Sequence, residues 1–221
     1  MALTDIEPVS RESTAAIIAR QLREAIMNGT FAPGTQLGET ELAGRFQVSR
    51  GPLREAMQRL VSEGLLRSER HRGLFVIDLE PDDVHDIYSA RFAIERAAVI
   101  RVLRHGDGEA VALRLMSAVE DMATASDGDA VAEADVRFHE ELVAASGSKR
   151  LGRMARTLLI ETRMCLSALH RTYATNEERV TEHKRIAEAL ASGDEEQTTA
   201  LLEAHMEDAV QRLAPGTSLY T

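Results

Sequence analysis

Asp135 and His139 stand one helical turn apart in a stretch whose apolar stripe is Val131, Ala134, Phe138 and Leu142. His183 shares a stripe with Val180, Ala187 and Leu190, and His205 shares one with Leu202, Ala209 and Leu213. One carboxylate and three imidazoles therefore point to faces that their helices should bury. Burying such groups is costly unless they are hydrogen-bonded, paired or bound to a metal. Any one of them alone reads as a hydrogen-bonded core residue. If three helices converge, however, Asp135, His139, His183 and His205 form an N₃O set. Such a set suits Zn²⁺, Ni²⁺ or Mn²⁺, with Zn²⁺ foremost, and keeps coordination positions open for a further ligand. His71, His85, His105 and His170 fall at a hairpin, at helix edges or at exposed positions and stay outside the set.

A second chemistry lies between Ser49 and Val76. From Arg50 to Glu63, Leu53, Ala56, Met57, Leu60 and Val61 make one apolar stripe, and Arg50, Arg54 and Gln58 recur every fourth residue on the other side. Ser49 is the expected N-cap, leaving the first helical amides beside a phosphate. Gly51 has no side chain to hold a backbone at a distance. Arg50 and Arg54 have the reach to contact guanine edges or phosphates in a major groove. The tip Arg70-His71-Arg72-Gly73 suits phosphate or minor-groove contacts. A basic helix face alone is an ordinary solvated surface. A short preceding helix, a turn and a basic hairpin beside it make DNA the better reading.

The elements that must position these groups are mostly helical. Ser10 is the expected cap of a helix over Arg11–Asn28, with Ile17, Ile18, Leu22, Ala25 and Ile26 inward. A turn at Phe31-Ala32-Pro33-Gly34 follows, then a short helix over Thr40–Phe46 and the arginine-bearing helix ending near Glu63. Two strands are expected near Leu66–Ser68 and Leu74–Ile77. Beyond the polar linker Asp78–Asp83 the pattern is helical throughout, over 82–104, 108–125, 130–146, 148–172, 177–192 and 195–213. Each break joins a glycine to a capping residue, and such short connections favour an antiparallel bundle. The expected fold is mainly α. Residues 1–78 form a winged helix-turn-helix with a small β-hairpin wing, and residues 79–221 form an all-α bundle of about six helices.

Composition agrees with packed helices. The chain of 221 residues is 44% hydrophobic but only 4% aromatic, without tryptophan, so its cores must be aliphatic. Its net charge of −10 argues against a protein that coats nucleic acid. The charge is uneven, however. Residues 1–80 carry 10 basic and 11 acidic side chains, residues 81–221 carry 16 and 25, and Arg45–Arg72 holds seven arginines against three glutamates. A local basic face is enough for DNA contact. The single cysteine, Cys165, excludes an internal disulfide framework and reads as a small core residue. With no signal-peptide pattern and no apolar run of membrane-spanning length, the expectation is a cytoplasmic protein with no membrane partner.

Leu37-Gly38-Glu39-Thr40-Glu41-Leu42-Ala43, followed by Val48-Ser49-Arg50-Gly51-Pro52-Leu53-Arg54-Glu55-Ala56-Met57-Gln58-Arg59-Leu60, resembles the winged-helix signature of GntR-family bacterial transcription regulators. The resemblance implies that Thr40, Ser49, Arg50, Gly51, Arg54 and Gly73 occupy operator-contacting positions. Thr40 departs from the longer basic side chain that relatives often carry there. The second half resembles the FadR-like (FCD) ligand-binding domain of that family. Metal-binding members carry an Asp-x-x-x-His pair and two later histidines, matched here by Asp135, His139, His183 and His205. The resemblance implies a small carboxylate or sugar-acid effector that completes the metal's coordination. Tyr88, Arg91 and Glu95 match the pattern Tyr-x-x-Arg-x-x-x-Glu of its first helix. Arg91, on a stripe with Ile87, Ile94 and Ala98, is either a two-pronged clamp for an effector carboxylate or the partner of Glu95 in an intrahelical ion pair.

The expected function is a homodimeric transcription regulator on a palindromic duplex operator. It acts as a repressor under the control of a small organic acid and is not an enzyme. The alternatives are a regulator responding to the metal alone and a metalloenzyme fused to a DNA-binding domain. Against the last, the sequence offers no evident general base beside the four ligands.

Overall fold

The computed structural model describes residues 12–27, 29–170, 172, 175–216 and 218–219. The chain divides into two compact units, Met1–Ile77 and Asp78–Thr221.

In the first unit, helix α1 (Thr14–Met27) buries Ile18, Ala19, Leu22 and Ile26. Ser13 accepts a hydrogen bond from the Ala16 amide at 3.1 Å and so caps this helix. Ser10, the expected cap, lies outside the described residues. Strand β1 (Gln36–Leu37), helix α2 (Glu39–Phe46), helix α3 (Arg50–Ser62) and strands β2 (Leu66–Glu69) and β3 (Gly73–Val76) follow. Between α2 and α3, Gln47 adopts a left-handed conformation at φ 54°, and the Val48 amide returns to the Ala43 carbonyl at 3.1 Å. This tight reversal turns α3 away from α2. Leu53, Leu60 and Leu65 are fully buried, each contributing about 1.5–3 kcal/mol. A forked ion pair holds α1 to the end of α3, with Arg23 Nε donating to Glu63 at 3.0 Å and Nη2 at 2.7 Å.

The wing is a three-stranded antiparallel sheet in the order β1-β3-β2, not the two-stranded hairpin that the sequence led us to expect. Gln36 lies opposite Phe75, and Leu37 opposite Leu74. A strand of two residues shows no alternation to read, and it exists because β3 supplies its hydrogen-bond partners. Its consequence is local to the wing, where the Gln36 side-chain amide donates to the Arg72 carbonyl beside the tip.

The second unit consists, among its described residues, of helices α4 (Pro81–His105), α5 (Gly108–Thr124), α6 (Gly128–Ala145), α7 (Lys149–His170), α8 (Asn176–Ser192) and α9 (Glu195–Leu213). A capping box opens α4, in which the Asp83 carboxylate accepts from the Glu80 amide at 2.9 Å. Asp127 caps α6 through the Ala130 amide, and Asp194 caps α9 through the Gln197 amide. The core joins Ile87, Val99, Leu115, Phe138, Leu166, Leu190 and Met206. Helices α5 and α8 approach very closely at Gly108, where a Cβ would stand 2.5 Å from the Leu190 carbonyl oxygen. Only glycine fits there. No helix among the described residues is long and apolar enough to cross a membrane.

Candidate metal centre and nucleic-acid interface

Helix α3 turns Leu53, Ala56, Met57 and Leu60 inward and leaves Arg50, Gly51, Arg54 and Gln58 exposed. Two groups at the start of α2 meet its arginines. Arg50 Nη2 donates to Thr40 Oγ1 at 3.2 Å, and Arg54 Nε donates to Glu39 Oε2 at 2.7 Å. The arginine stripe is therefore fastened to α2, which helical spacing within α3 could not reveal. Ser49 occupies the N-cap position with extended backbone, but its hydroxyl makes no capping bond, contrary to expectation. The hydroxyl is exposed. A Cβ on Gly51 would meet nothing within 4 Å, so internal packing does not demand the glycine. Glycine in a helix costs about 1 kcal/mol relative to alanine, and close approach of an outside backbone is a reason to retain it.

At the wing, Arg70, His71, Arg72 and Gly73 are all exposed, with the Arg72 amide closing a turn onto the Glu69 carbonyl at 3.1 Å. His71 and Gly73 both have positive φ, 63° and 105°. The Glu69 carboxylate joins the guanidinium groups of Arg67 and Arg72. Those two groups also lie over the Phe75 ring, 5.4 and 5.1 Å from its centroid. Arg54, Arg67 and Arg72 are thus ion-paired rather than bare. Exposed pairs of this kind are worth about 0–1 kcal/mol, a small barrier to exchange for a phosphate.

In the second unit, the four sequence-predicted residues come together. Asp135 and His139 project from α6, His183 from α8 and His205 from α9. One ligand nitrogen from each of the three histidines lies within 4.8 Å of the others. His139 and His183 are 0% exposed, Asp135 3% and His205 6%. Asp135 Oδ1 stands 3.4 Å from His183 Nε2, and Oδ2 stands 3.9 Å from His139 Nε2. Phe138 presses edge-on against both rings, with centroids at 5.3 Å to His139 and 4.7 Å to His183.

The far side of each imidazole is occupied. His183 Nδ1 donates to the Arg179 carbonyl at 2.8 Å, His139 Nδ1 to Glu95 at 2.6 Å, and His205 Nδ1 to Glu182 at 2.9 Å. Carbonyl and carboxylate oxygens only accept, so each Nδ1 carries the proton and each Nε2 keeps its lone pair. The Nε2 atoms of His139 and His183 are buried and without a hydrogen-bond partner. His183 Nε2 therefore presents a lone pair to a carboxylate oxygen. A proton does not resolve that clash at neutral pH, because burial pulls the His183 pKa down to about 3 and that of His139 well below its ordinary value. A divalent cation does resolve it, since neutral imidazoles and an ionised carboxylate are its ligands. On this chemistry the residues fit a metal.

Arg91, on α4, makes the ion pair that was one of its two expected roles. Its Nε donates to Glu95 at 3.0 Å and its Nη1 to Thr162 of α7 at 3.3 Å, while Nη2 is buried with no hydrogen-bond partner. Burial raises the Glu95 carboxyl, and Arg91 works against that rise. Besides Asp135, two further carboxylates stand directly against the histidine rings, Glu95 on His139 and Glu182 on His205, neither of them part of the expected ligand set. Each is on the Nδ1 side, turned to holding a ring rather than to the open face. Glu95 had a faint sequence signal as the helical neighbour of Arg91. Glu182 had none, lying off the His183 stripe.

Comparison with known proteins adds the family. Residues 14–76 match the model of bacterial regulatory proteins of the gntR family, and residues 86–208 match the FCD domain. The chain is 30% identical over 188 residues to the uncharacterized HTH-type transcriptional regulator YdhC of Bacillus subtilis, covering 84% of each. It is 36% identical over 137 residues to the gluconate operon transcriptional repressor of Bacillus licheniformis, covering 61% of this chain and 56% of that one. Among solved structures, a putative transcriptional regulator GntR from Rhodococcus sp. RHA1 superposes with a TM-score of 0.68 at 28% identity, over 93% of this chain and 100% of that one. These relatives are transcription regulators rather than enzymes. The arginine-bearing winged helix, the helical unit that follows it in the chain and both matches lead to one assignment: the chain belongs to the GntR family, in its FCD-domain branch, and is a DNA-binding transcription regulator.

Proposed function

We propose that this regulator is a metal-dependent repressor controlled by a small organic acid. Residues 1–78 read the operator, and residues 79–221 hold the metal and effector and form a homodimer. The observation carrying the metal reading is the buried His183 Nε2 lone pair facing Asp135 Oδ1 at 3.4 Å. Asp135, His139, His183 and His205 would hold Zn²⁺, Ni²⁺ or Mn²⁺, and the ion would supply open positions for a carboxylate or sugar acid. Arg91 Nη2 is the donor left for the same anion. The gluconate operon repressor among the relatives supports both repression and a sugar-acid signal. Two winged helices on a palindrome are the arrangement that a homodimer and a symmetric operator require together. Arg50, Gly51, Arg54, Ser49 and Thr40 would face the major groove, with Arg70, His71, Arg72 and Gly73 on the flanking backbone.

The test combines elemental analysis of the purified protein with a palindromic-operator shift, run metal-loaded and chelated, with and without carboxylic and sugar acids. An acid that releases the operator only from the metal-loaded protein is the expected result. Operator affinity that follows free metal, with no acid having any effect, would make the ion itself the signal. Absence of sequence-preferring binding at physiological salt would refute the reading altogether.

A further inference from the structure

Glu95 lies outside the four-residue set, yet its two carboxylate oxygens take two different donors. Oε1 accepts from Arg91 Nε at 3.0 Å, and Oε2 accepts from His139 Nδ1 at 2.6 Å. The three side chains are all but sealed from solvent, with Arg91 2%, Glu95 1% and His139 0% exposed. We infer that Glu95 is a positioning residue for the metal: it holds His139 in the tautomer whose Nε2 lone pair faces the centre, and it binds that imidazole to Arg91 through one shared carboxylate. This inference rests on the metal reading of the site.

A side chain at position 95 must offer an acceptor to each of two donors, Arg91 Nε and His139 Nδ1. A carboxylate accepts on both oxygens, whereas the amide of glutamine has one acceptor oxygen and one donor NH₂. With its oxygen toward Arg91, a glutamine presents NH₂ to His139 Nδ1. That nitrogen must then become the acceptor, which moves the ring proton to Nε2, where it blocks ligation. With the amide turned over, NH₂ faces the Arg91 Nε–H, and two buried donors oppose each other at the full desolvation penalty. Neither rotamer serves both neighbours. Aspartate is one methylene shorter and cannot span the distance from α4 to His139 while keeping Arg91. The demand for a carboxylate here therefore comes from two donors on opposite sides, not from helix stability. Partners of this kind behind a ligating histidine typically change metal affinity by about 10- to 100-fold when removed.

The test uses the full-length protein and Glu95→Gln. Imidazole tautomers of the metal-free protein are read from two-bond ¹H–¹⁵N correlations, and Zn²⁺ affinity is read by chelator competition. Wild type should show His139 protonated on Nδ1. Glu95→Gln should show it protonated on Nε2, with Zn²⁺ bound about 10- to 100-fold more weakly and an unchanged circular-dichroism spectrum. Zn²⁺ affinity within twofold of wild type and an Nδ1-protonated His139 in the variant would overturn the inference. If Glu95→Gln does not fold, the wild-type spectrum decides, because an Nε2-protonated His139 there overturns it alone. A wild type that binds none of Zn²⁺, Ni²⁺ and Mn²⁺ overturns the metal reading and this role together, whereas a binding wild type with an insensitive variant removes only Glu95.

Discussion

Arg54→Ala removes the arginine at the centre of the proposed reading surface, and the geometry around it sets the size of the effect. The Arg54 side chain is 61% exposed and its partner Glu39 35%, so their 2.7 Å ion pair is worth about 0–1 kcal/mol. A two-pronged arginine contact to guanine is worth about 1–3 kcal/mol. Exchange of Glu39 for a base is therefore favourable, and Arg54→Ala should weaken operator binding by about 5- to 150-fold per half-site. A second loss accompanies the first, because Glu39 is left uncompensated toward the phosphates. Adding Glu39→Gln to Arg54→Ala should recover that part alone. Fluorescence anisotropy on operator and scrambled duplexes, from about 50 to 200 mM salt, separates base from backbone contact. A base contact makes the loss larger on the operator. A phosphate contact weakens both duplexes equally and lowers the slope of log K against log salt by about 0.9. Affinities within twofold of wild type on both duplexes, with the slope unchanged, would refute the assignment of the α3 stripe to the groove.

Two further perturbations probe the helical unit. In the metal-free protein, burial holds the His183 pKa at about 3 and that of His139 well below its ordinary value, while in the unfolded chain both return to about 6.5. Below about pH 6.5 the unfolded state therefore takes up protons that the native state refuses. The stability these groups allow is fully present above that pH and is lost as pH falls toward 3, with a slope of up to about 1.4 kcal/mol per pH unit for each imidazole. A urea-midpoint series that stays flat from about pH 7 to 4 would contradict two buried neutral imidazoles. Gly108→Ala places a Cβ 2.5 Å from the Leu190 carbonyl oxygen and 3.1 Å from Leu103 Cδ2. It should destabilise by about 1–3 kcal/mol, lowering the melting temperature by about 2–4 °C per kcal/mol. Gly152→Ala on α7 meets nothing within 4 Å and serves as the control, gaining about 0.5–1 kcal/mol of helix propensity. Equal melting temperatures for the two variants would refute the close packing of α5 on α8.

Much of this was legible because one helical face suffices to predict it. The inward positions of Asp135, His139, His183 and His205 follow from their neighbours on each stripe, and all four are buried. The exposed Arg50 and Arg54 follow from the same logic applied to the outer face of α3. The wing shows where that logic stops. Residues 36 and 37 carry no pattern, and they pair only because β3 lies alongside. Ser49 has the right residue type in the right place and still leaves its capping bond unmade. At the start of α1 it is Ser13 whose hydroxyl accepts from the Ala16 amide, a contact that apolar periodicity does not announce.

By itself, then, the sequence determined the order of elements, the winged-helix signature and which side chains each helix must bury. Periodicity of 3.6 carries that information within about 20 residues. Which faces meet, and through which atoms, only the tertiary structure decided. Glu95 reaches His139 across 44 positions of sequence, Glu182 reaches His205 across 23, and Glu39 reaches Arg54 across 15. A stripe states that a residue points inward, but not what it meets there. That depends on how neighbouring helices are rotated and offset, which is set by the packing of whole cores and is written in no single segment. The tautomers follow the same rule, because the proton on each imidazole is placed by an acceptor supplied from the surrounding fold.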